Sequence, residues 1–286
     1  MIAPPPAATR AARPARARDN AVRARELLSA CRFCAHECGA DRRGGPAGLC
    51  HAGAEARFFG AQIEVTDELE LIPTYAIALS GCDLRCAFCI TGAESWNAGA
   101  GQAFDAAAIA RRARAALDRG ARTVMVLGGE PTVHLPAALE LVSLLPAEAR
   151  LVWKTNAHGG PAARELLDGI FDVWLADLKF GNDACARSLA RISNYSAIAR
   201  GNLLWAAGRG ELIVRHLLMP GHLECCWKPA AQWLAAALPG VKTNLRGAFW
   251  PAWQSRRHPE LRRAVSPAES EAAWAWARDL GLNLIP

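Results

Sequence analysis

A chain of 286 residues, 52% hydrophobic and 21% charged, is long enough for one large domain with a sizeable core and too apolar to be disordered throughout. Six arginines against Asp19 in the first 25 residues carry +5 of the formal net charge of +6, so the body holds +1 and a nucleic-acid-binding face is not indicated. No run approaches the ~18 apolar residues of a membrane span, and no apolar h-region of a secretory signal is seen, so a cytoplasmic protein with no membrane partner is expected.

Residues 1–25 are Ala, Pro and Arg with almost no apolar bulk, which predicts a solvated, disordered tail; an amphipathic transit peptide shares this Arg-rich, acid-poor composition. The next segment, 26–70, holds Cys31, Cys34, Cys38 and Cys50 in "CRFCAHECGADRRGGPAGLC". Ten cysteines without an export signal argue for metal or redox chemistry rather than a disulfide framework, because cytosolic thiols stay reduced. Four of them within twenty residues predict a metal site, compatible with zinc or with an auxiliary iron–sulfur cluster. His36 and His51 are candidate substitute ligands, although exposed loop histidines are commoner.

From 71 to 286 short apolar runs alternate with helical patterns. The runs predict strands over 74–80, 122–128, 150–155, 171–178, 211–218 and 241–245. Asp105 is placed to cap a helix that ends at Gly120, and Ser266-Pro-Ala-Glu269 reads as a capping box opening the last helix. The fold class is therefore α/β with a parallel sheet, open or closed into a complete or partial barrel.

In such folds the loops after the strand C-termini share one face, and the polar residues of this chain fall there. The first strand runs into "SGCDLRCAFCITG", with Cys82, Cys86 and Cys89; the second ends in Gly128-Gly129-Glu130-Pro131. Lys154-Thr155-Asn156, Asp177-Leu-Lys179 and Arg215-His216 follow the next three. Three cysteines in eight residues fit three corners of an iron–sulfur cube and leave the fourth iron to a chelating small molecule, such as the amino and carboxylate groups of S-adenosylmethionine. Three buried thiols, or a zinc knuckle with a distant histidine, are the blander alternative. Lys179 and Arg215 suit a carboxylate, Arg215 bidentately, though Asp177–Lys179 also reads as a strand-end ion pair and Arg215–His216 as a satisfied polar pair. Cys185 reads as a helix residue; the Cys225–Cys226 pair could bind a second cluster or react with substrate, and Trp250 and Trp253 could line the barrel mouth, but packing is the simpler reading of each.

"CDLRCAFC" resembles the CxxxCxxC signature of radical S-adenosylmethionine (radical SAM) enzymes, with Phe88 in the usual aromatic position, and "GGEP" resembles their glycine-rich motif. "DLK" at 177–179 and "VRHLLMPG" at 214–221 are similar to segments of pyruvate formate-lyase activating enzyme and its relatives. The front cysteine group resembles that of an uncharacterised activating-enzyme-like branch, with Ala35 where that branch often has proline. The resemblance implies a partial (β/α)6 barrel and a [4Fe–4S] cluster on Cys82, Cys86 and Cys89. It also implies cofactor contacts from Gly128, Gly129, Glu130, Pro131, Asp177, Lys179 and Arg215, and a 5′-deoxyadenosyl radical that abstracts hydrogen. The implied partners are an electron donor such as flavodoxin or ferredoxin and a glycyl radical enzyme as substrate, with peptide or small-molecule modification as the alternative. "AFWPAWQ" departs from the Gln-Tyr-x-Pro of those relatives, which separates the substrate question from the fold. A non-catalytic zinc-binding interaction protein is the alternative from another class.

Overall fold

The computed structural model describes residues 10–66 and 68–286. One nine-stranded sheet has the order β3-β1-β2-β4-β5-β6-β7-β8-β9. The strands are β1 Arg57–Glu64, β2 Thr74–Leu79, β3 Gln102–Ala103, β4 Thr123–Gly128, β5 Leu151–Thr155, β6 Val173–Asp177, β7 Glu211–Leu217, β8 Lys242–Arg246 and β9 Asn283–Leu284. The helices used below are α1 Arg13–Leu27, α2 Ala93–Trp96, α3 Ala106–Asp118, α4 Leu135–Ser143, α5 Pro161–Leu167, α6 Asp183–Ala190, α7 Tyr195–Ala207, α8 Lys228–Ala237 and α9 Pro267–Asp279.

Strands β2, β4, β5, β6, β7 and β8 are the six predicted ones, and they pair in parallel from Leu79 beside Gly128 to Asp177 beside Arg215. Their apolar runs serve two faces. Met125, Val152, Val173, Leu175 and Ile213 pack with Leu71 on one, while alternating residues such as Val124, Leu151, Trp153 and Val214 pack under the helices on the other. The sheet does not close on itself, and β1 and β3 add an antiparallel edge. This is a partial (β/α) barrel with a cysteine-rich segment at its front. The antiparallel edge is absent from the sequence reading: β1 alternates weakly, has a register irregularity between Phe58 and Gly60, and lies within the segment assigned to metal binding.

Local capping follows the sequence. The Asp105 side chain accepts from Ala108 N at the start of α3, Gly120 sits past its end at φ +98°, and Ser266 and Glu269 form the capping box of α9.

The solvated tail expected over residues 1–25 is corrected for its described part. Residues 13–27 form α1, which packs on α4. Ala17, Ala21, Ala24 and Leu28 bury a one-sided small stripe, spaced so that the helix can approach closely. Arg13, 2% exposed, pairs with buried Asp172 at 2.7 Å and donates to Ala149 O at 2.8 Å, and Asn20 donates to Leu166 O. The "tail" docks because its buried polar groups are satisfied; residues 1–9 lie outside the described residues. Among the described residues, no helix is long and apolar enough to cross a membrane.

Candidate active site at the strand ends

The C-terminal ends of the parallel strands open on one cavity of about 330 Å³. Cys82, Cys86 and Cys89 line it from the loop after β2, and Gly128 and Gly129 from the end of β4. Lys154 and Asn156 at the end of β5, Asp177 and Lys179 at the end of β6, and Arg215 on β7 complete the wall. Five segments that the sequence placed at one mouth are thus brought together.

The cysteine loop is held from outside. Arg85 N donates to Ala190 O and Ala87 N to Leu189 O, which fastens the loop to the end of α6, and Gln254 N donates to Ala87 O from the C-terminal side. Gly128 and Gly129 have a packing reason as well as a ligand one. A Cβ on Gly128, at φ +151°, would stand 2.0 Å from Leu79 O, and one on Gly129 would stand 2.1 Å from Gly81 O. Gly129→Ala is expected to destabilise the fold by about 1–3 kcal/mol, because backbone rather than a flexible side chain must move. Thermal denaturation together with bound iron would read it, and an unchanged Tm would contradict the close approach.

Glu130 and Pro131 stay off the cavity wall. The Glu130 carboxylate accepts from Thr132 N, Thr132 Oγ1, Thr155 Oγ1 and Asn156 N at 2.6 to 3.1 Å, tying β4 to β5. Burial, with the Asp83 charge adding, pushes its carboxyl up to about 7. Pro131 opens a 3-10 turn.

Charge at the mouth is arranged as a chain. Lys179 Nζ lies 2.5 Å from Asp177 Oδ2, and Arg215 Nε lies 3.3 Å from Glu68 Oε1 and 3.8 Å from Asp177 Oδ1. Burial opposes ionisation of Asp177, but the Lys179 ammonium and then the Arg215 guanidinium outweigh it and hold the carboxyl below its usual range. Lys179 is raised in turn: burial works against its charge and Asp177 overrides it. Two cations are thereby fixed beside the cysteine loop, and the buried carboxylate Glu68 that steadies Arg215 had no signal at a strand end.

Burial pushes the Cys86 thiol up to about 12 and Cys82 well above the ordinary thiol range. Alone they would be inert thiols; a metal that takes them as thiolates gives them a role. Among the described residues, the trios of donors within 4.8 Å of one another are Cys185–His222–Cys225 and His36–Asp83–His158, so the sulfurs of Cys82, Cys86 and Cys89 are spread more widely. Two thiolates on one zinc stand about 3.8 Å apart, from 2.3 Å bonds at tetrahedral angles. The wider spacing suits a cubane, where each thiolate takes a different iron.

Residues 77–234 match the family model described as the radical SAM superfamily. The chain belongs to the radical SAM superfamily. Membership brings a [4Fe–4S] cluster and S-adenosylmethionine as cofactors, and the need for a reductant. The uncharacterised protein MJ0674 of Methanocaldococcus jannaschii is 28% identical over 272 residues, 92% of this chain and 78% of that one. Among solved structures, Streptococcus suis SuiB bound to S-adenosylmethionine matches with a TM-score of 0.55 at 17% identity, covering 71% of this chain and 47% of that one. SuiB bound to its precursor peptide SuiA matches at 0.54 and 16%, covering 71% and 46%. The chain spans less than half the length of those SuiB chains, and at such identities the likeness is one of fold.

The sequence missed the polar network behind this radical SAM loop. Asp83, between two of the cysteines, takes His158 Nδ1 at 2.6 Å and Asn156 Nδ2 at 2.8 Å, all buried. Burial opposes its ionisation, but His158 outweighs it and lowers the carboxyl. Asn156 Nδ2 also lies 3.7 Å from Cys82 Sγ. Asp83→Asn should keep the shape and lose the charge-assisted bond to His158, costing about 2 kcal/mol in urea denaturation; a loss below about 0.5 kcal/mol would contradict that role.

The front cysteines gather around a common hollow lined by Cys31, Cys34, Cys38 and Cys50. Bonds from Ala35 N to His158 O and from Gly160 N to Phe33 O lay this segment along the loop after β5, beside the network of Asp83 and His158. His36 reaches Asp83 O at 3.0 Å and meets His158 edge-on, so it is tied into the network rather than a free loop histidine. Burial pushes Cys34 up, with Asp83 adding, and Cys50 up against the opposing charge of Arg42. Buried Arg42 lies 3.5 Å from Cys31 Sγ and donates to Ala52 O and Gly53 O.

His216 is a satisfied core histidine: its Nδ1 meets Leu178 O at 2.6 Å, its ring packs on Trp227, and burial lowers it to about 4. Trp250 and Trp253 depart from the packing reading. Trp250 is 73% exposed on the cavity rim beside Ile90, 79% exposed, and Trp253 covers Gly92 and meets Trp96 edge-on.

Proposed function

We propose that this radical SAM protein is an oxidoreductase that takes a hydrogen atom from a polypeptide, in the manner of pyruvate formate-lyase activating enzymes acting on a glycyl residue of a partner enzyme. The observation that carries the reading is the apolar rim of the mouth. The cavity itself, about 330 Å³, is at the lower end of the ~300–1,000 Å³ of a small-molecule pocket, but its rim exposes Ile90 and Trp250 as an apolar seat on which a polypeptide can dock. Cys82, Cys86 and Cys89 hold the [4Fe–4S] cluster. Gly128 and Gly129 offer backbone to the amino group of S-adenosylmethionine, and Arg215 and Lys179 pair with its carboxylate, while Asp177 keeps both cations in position. Bound there, cluster and cofactor supply reductive cleavage to a 5′-deoxyadenosyl radical and methionine, given one electron from a flavodoxin or ferredoxin. Cys31, Cys34, Cys38 and Cys50 hold an auxiliary iron–sulfur cluster rather than zinc, since no three of their sulfurs lie within 4.8 Å of one another, wider than one ion needs; the buried guanidinium of Arg42 would offset the negative charge of either group. A solved neighbour bound to a precursor peptide favours radical modification of a peptide as the second reading.

A deuterium experiment separates these substrates. Extract from cells grown on α-deuterated glycine is split into protein, peptide and small-molecule pools and offered to the reduced enzyme with S-adenosylmethionine. Label in 5′-deoxyadenosine with the protein pool is expected. Label confined to the peptide pool would move the assignment to the second reading, and label confined to small molecules would overturn both.

A further inference from the structure

The loops that leave β6 and β7 meet again outside the cavity. After Asp177 the chain passes Gly181 and Asn182 into α6, which carries Cys185. After β7 it turns at Pro220-Gly221 into a π-helical turn, Leu223–Trp227, that carries Cys225 and Cys226. π-turns are rare and often mark functional positions, because the extra residue redirects side chains. Here it brings Cys225 Sγ to 3.6 Å from Cys185 Sγ, with a ligand nitrogen of His222 within 4.8 Å of both sulfurs. The Cys226 thiol interacts with both of those cysteines. None of these residues lines the cavity of the cysteine loop.

The geometry selects among the uses of such a group. A disulfide needs about 2.05 Å between sulfurs, whereas two thiolates on one tetrahedral zinc are about 3.8 Å apart. A cubane would spread the thiolates over separate irons. His222 Nδ1 lies 3.0 Å from Pro220 O, which can only accept, so Nδ1 carries the proton and the ring's lone pair is on Nε2. Asn182 Nδ2 lies 3.2 Å from Cys185 Sγ and 2.6 Å from Cys225 O, orienting both cysteines from outside. Two sulfurs with one imidazole suit a soft divalent ion, not magnesium or calcium.

We propose that Cys185, His222 and Cys225 bind one zinc-class ion, whose fourth position is left to water. The ion fastens the loop that presents Asp177 and Lys179 to the loop that follows Arg215. These loops are already pressed together, since a Cβ on Gly181 would stand 2.2 Å from Cys226 O. The site is independent of the substrate assignment above.

The test uses the whole protein, anaerobically purified with its clusters assembled, and Zn²⁺ as the probe. Pulse alkylation followed by peptide mapping should show Cys185 and Cys225 modified about tenfold more slowly with one equivalent of Zn²⁺, and released by a zinc chelator. Equal rates with and without Zn²⁺, or a Cys185–Cys225 disulfide in the anaerobic protein, would overturn the assignment. Cys185→Ser and His222→Gln give a second reading where circular dichroism shows them folded. Each should lose Zn²⁺ to a competing chromophoric chelator that the parent protein resists, and unchanged retention in both would overturn the site.

Discussion

Cys86→Ala is expected to lower bound iron by the four atoms of one cubane and to abolish 5′-deoxyadenosine formation, while the protein stays folded. Cys86 is the middle cysteine of the loop, buried and on the cavity wall. Its removal leaves two thiolates for a cluster that needs three from protein. The backbone that shapes the loop does not depend on it: the bonds from Arg85 N and Ala87 N to the end of α6 and the bond from Gln254 N to Ala87 O remain. Iron from the group at Cys31, Cys34, Cys38 and Cys50 should be retained, so the loss is partial in iron and complete in activity. A variant that still cleaves S-adenosylmethionine at more than a trace would remove the assignment of the site.

Arg13→Ala is expected to cost about 3 kcal/mol and to lower Tm by roughly 6–10 °C. The substitution strips a buried guanidinium from buried Asp172 and from the carbonyls of Ala147 and Ala149. Asp172 also receives Leu151 N at 2.8 Å, so the charge that loses its buried partner sits at the start of β5, in the middle of the sheet. Arg10, 3.0 Å from the other carboxylate oxygen, keeps the loss at the lower end of what a broken buried pair costs. Arg18→Ala, on the exposed face of the same helix, is the control and should fall within about 0.5 kcal/mol of the parent. Equal effects from the two substitutions would mean that α1 is not docked as described.

These two sites mark where the sequence was legible. The parallel strands could be read because each is apolar on both faces, and the shared mouth because three cysteines in eight residues and further polar residues fall at successive strand ends. α1 could not, since an alanine stripe with many arginines has the composition of a solvated tail until a partner face is known. The partner of Arg13 is 159 residues away. His158 meets Asp83 across 75 residues, and Glu68 meets Arg215 from the segment before the first parallel strand. Such contacts depend on the sheet order and leave no local pattern. Glu130 shows the opposite case: a motif residue at the right strand end whose side chain is consumed by Thr132, Thr155 and Asn156. Cys185 and Cys225, forty residues apart and each unremarkable alone, became a group only when the loops after β6 and β7 met.

The most direct test of the central claim, that the loop of Cys82, Cys86 and Cys89 cleaves S-adenosylmethionine, is anaerobic. The protein is reconstituted with iron and sulfide, reduced with dithionite and mixed with S-adenosylmethionine, and 5′-deoxyadenosine is followed by chromatography. Its accumulation, lost on substitution of any of the three cysteines, is the predicted result. No 5′-deoxyadenosine from protein shown by its spectrum to carry the reduced cluster, with or without extract protein added as substrate, would contradict it.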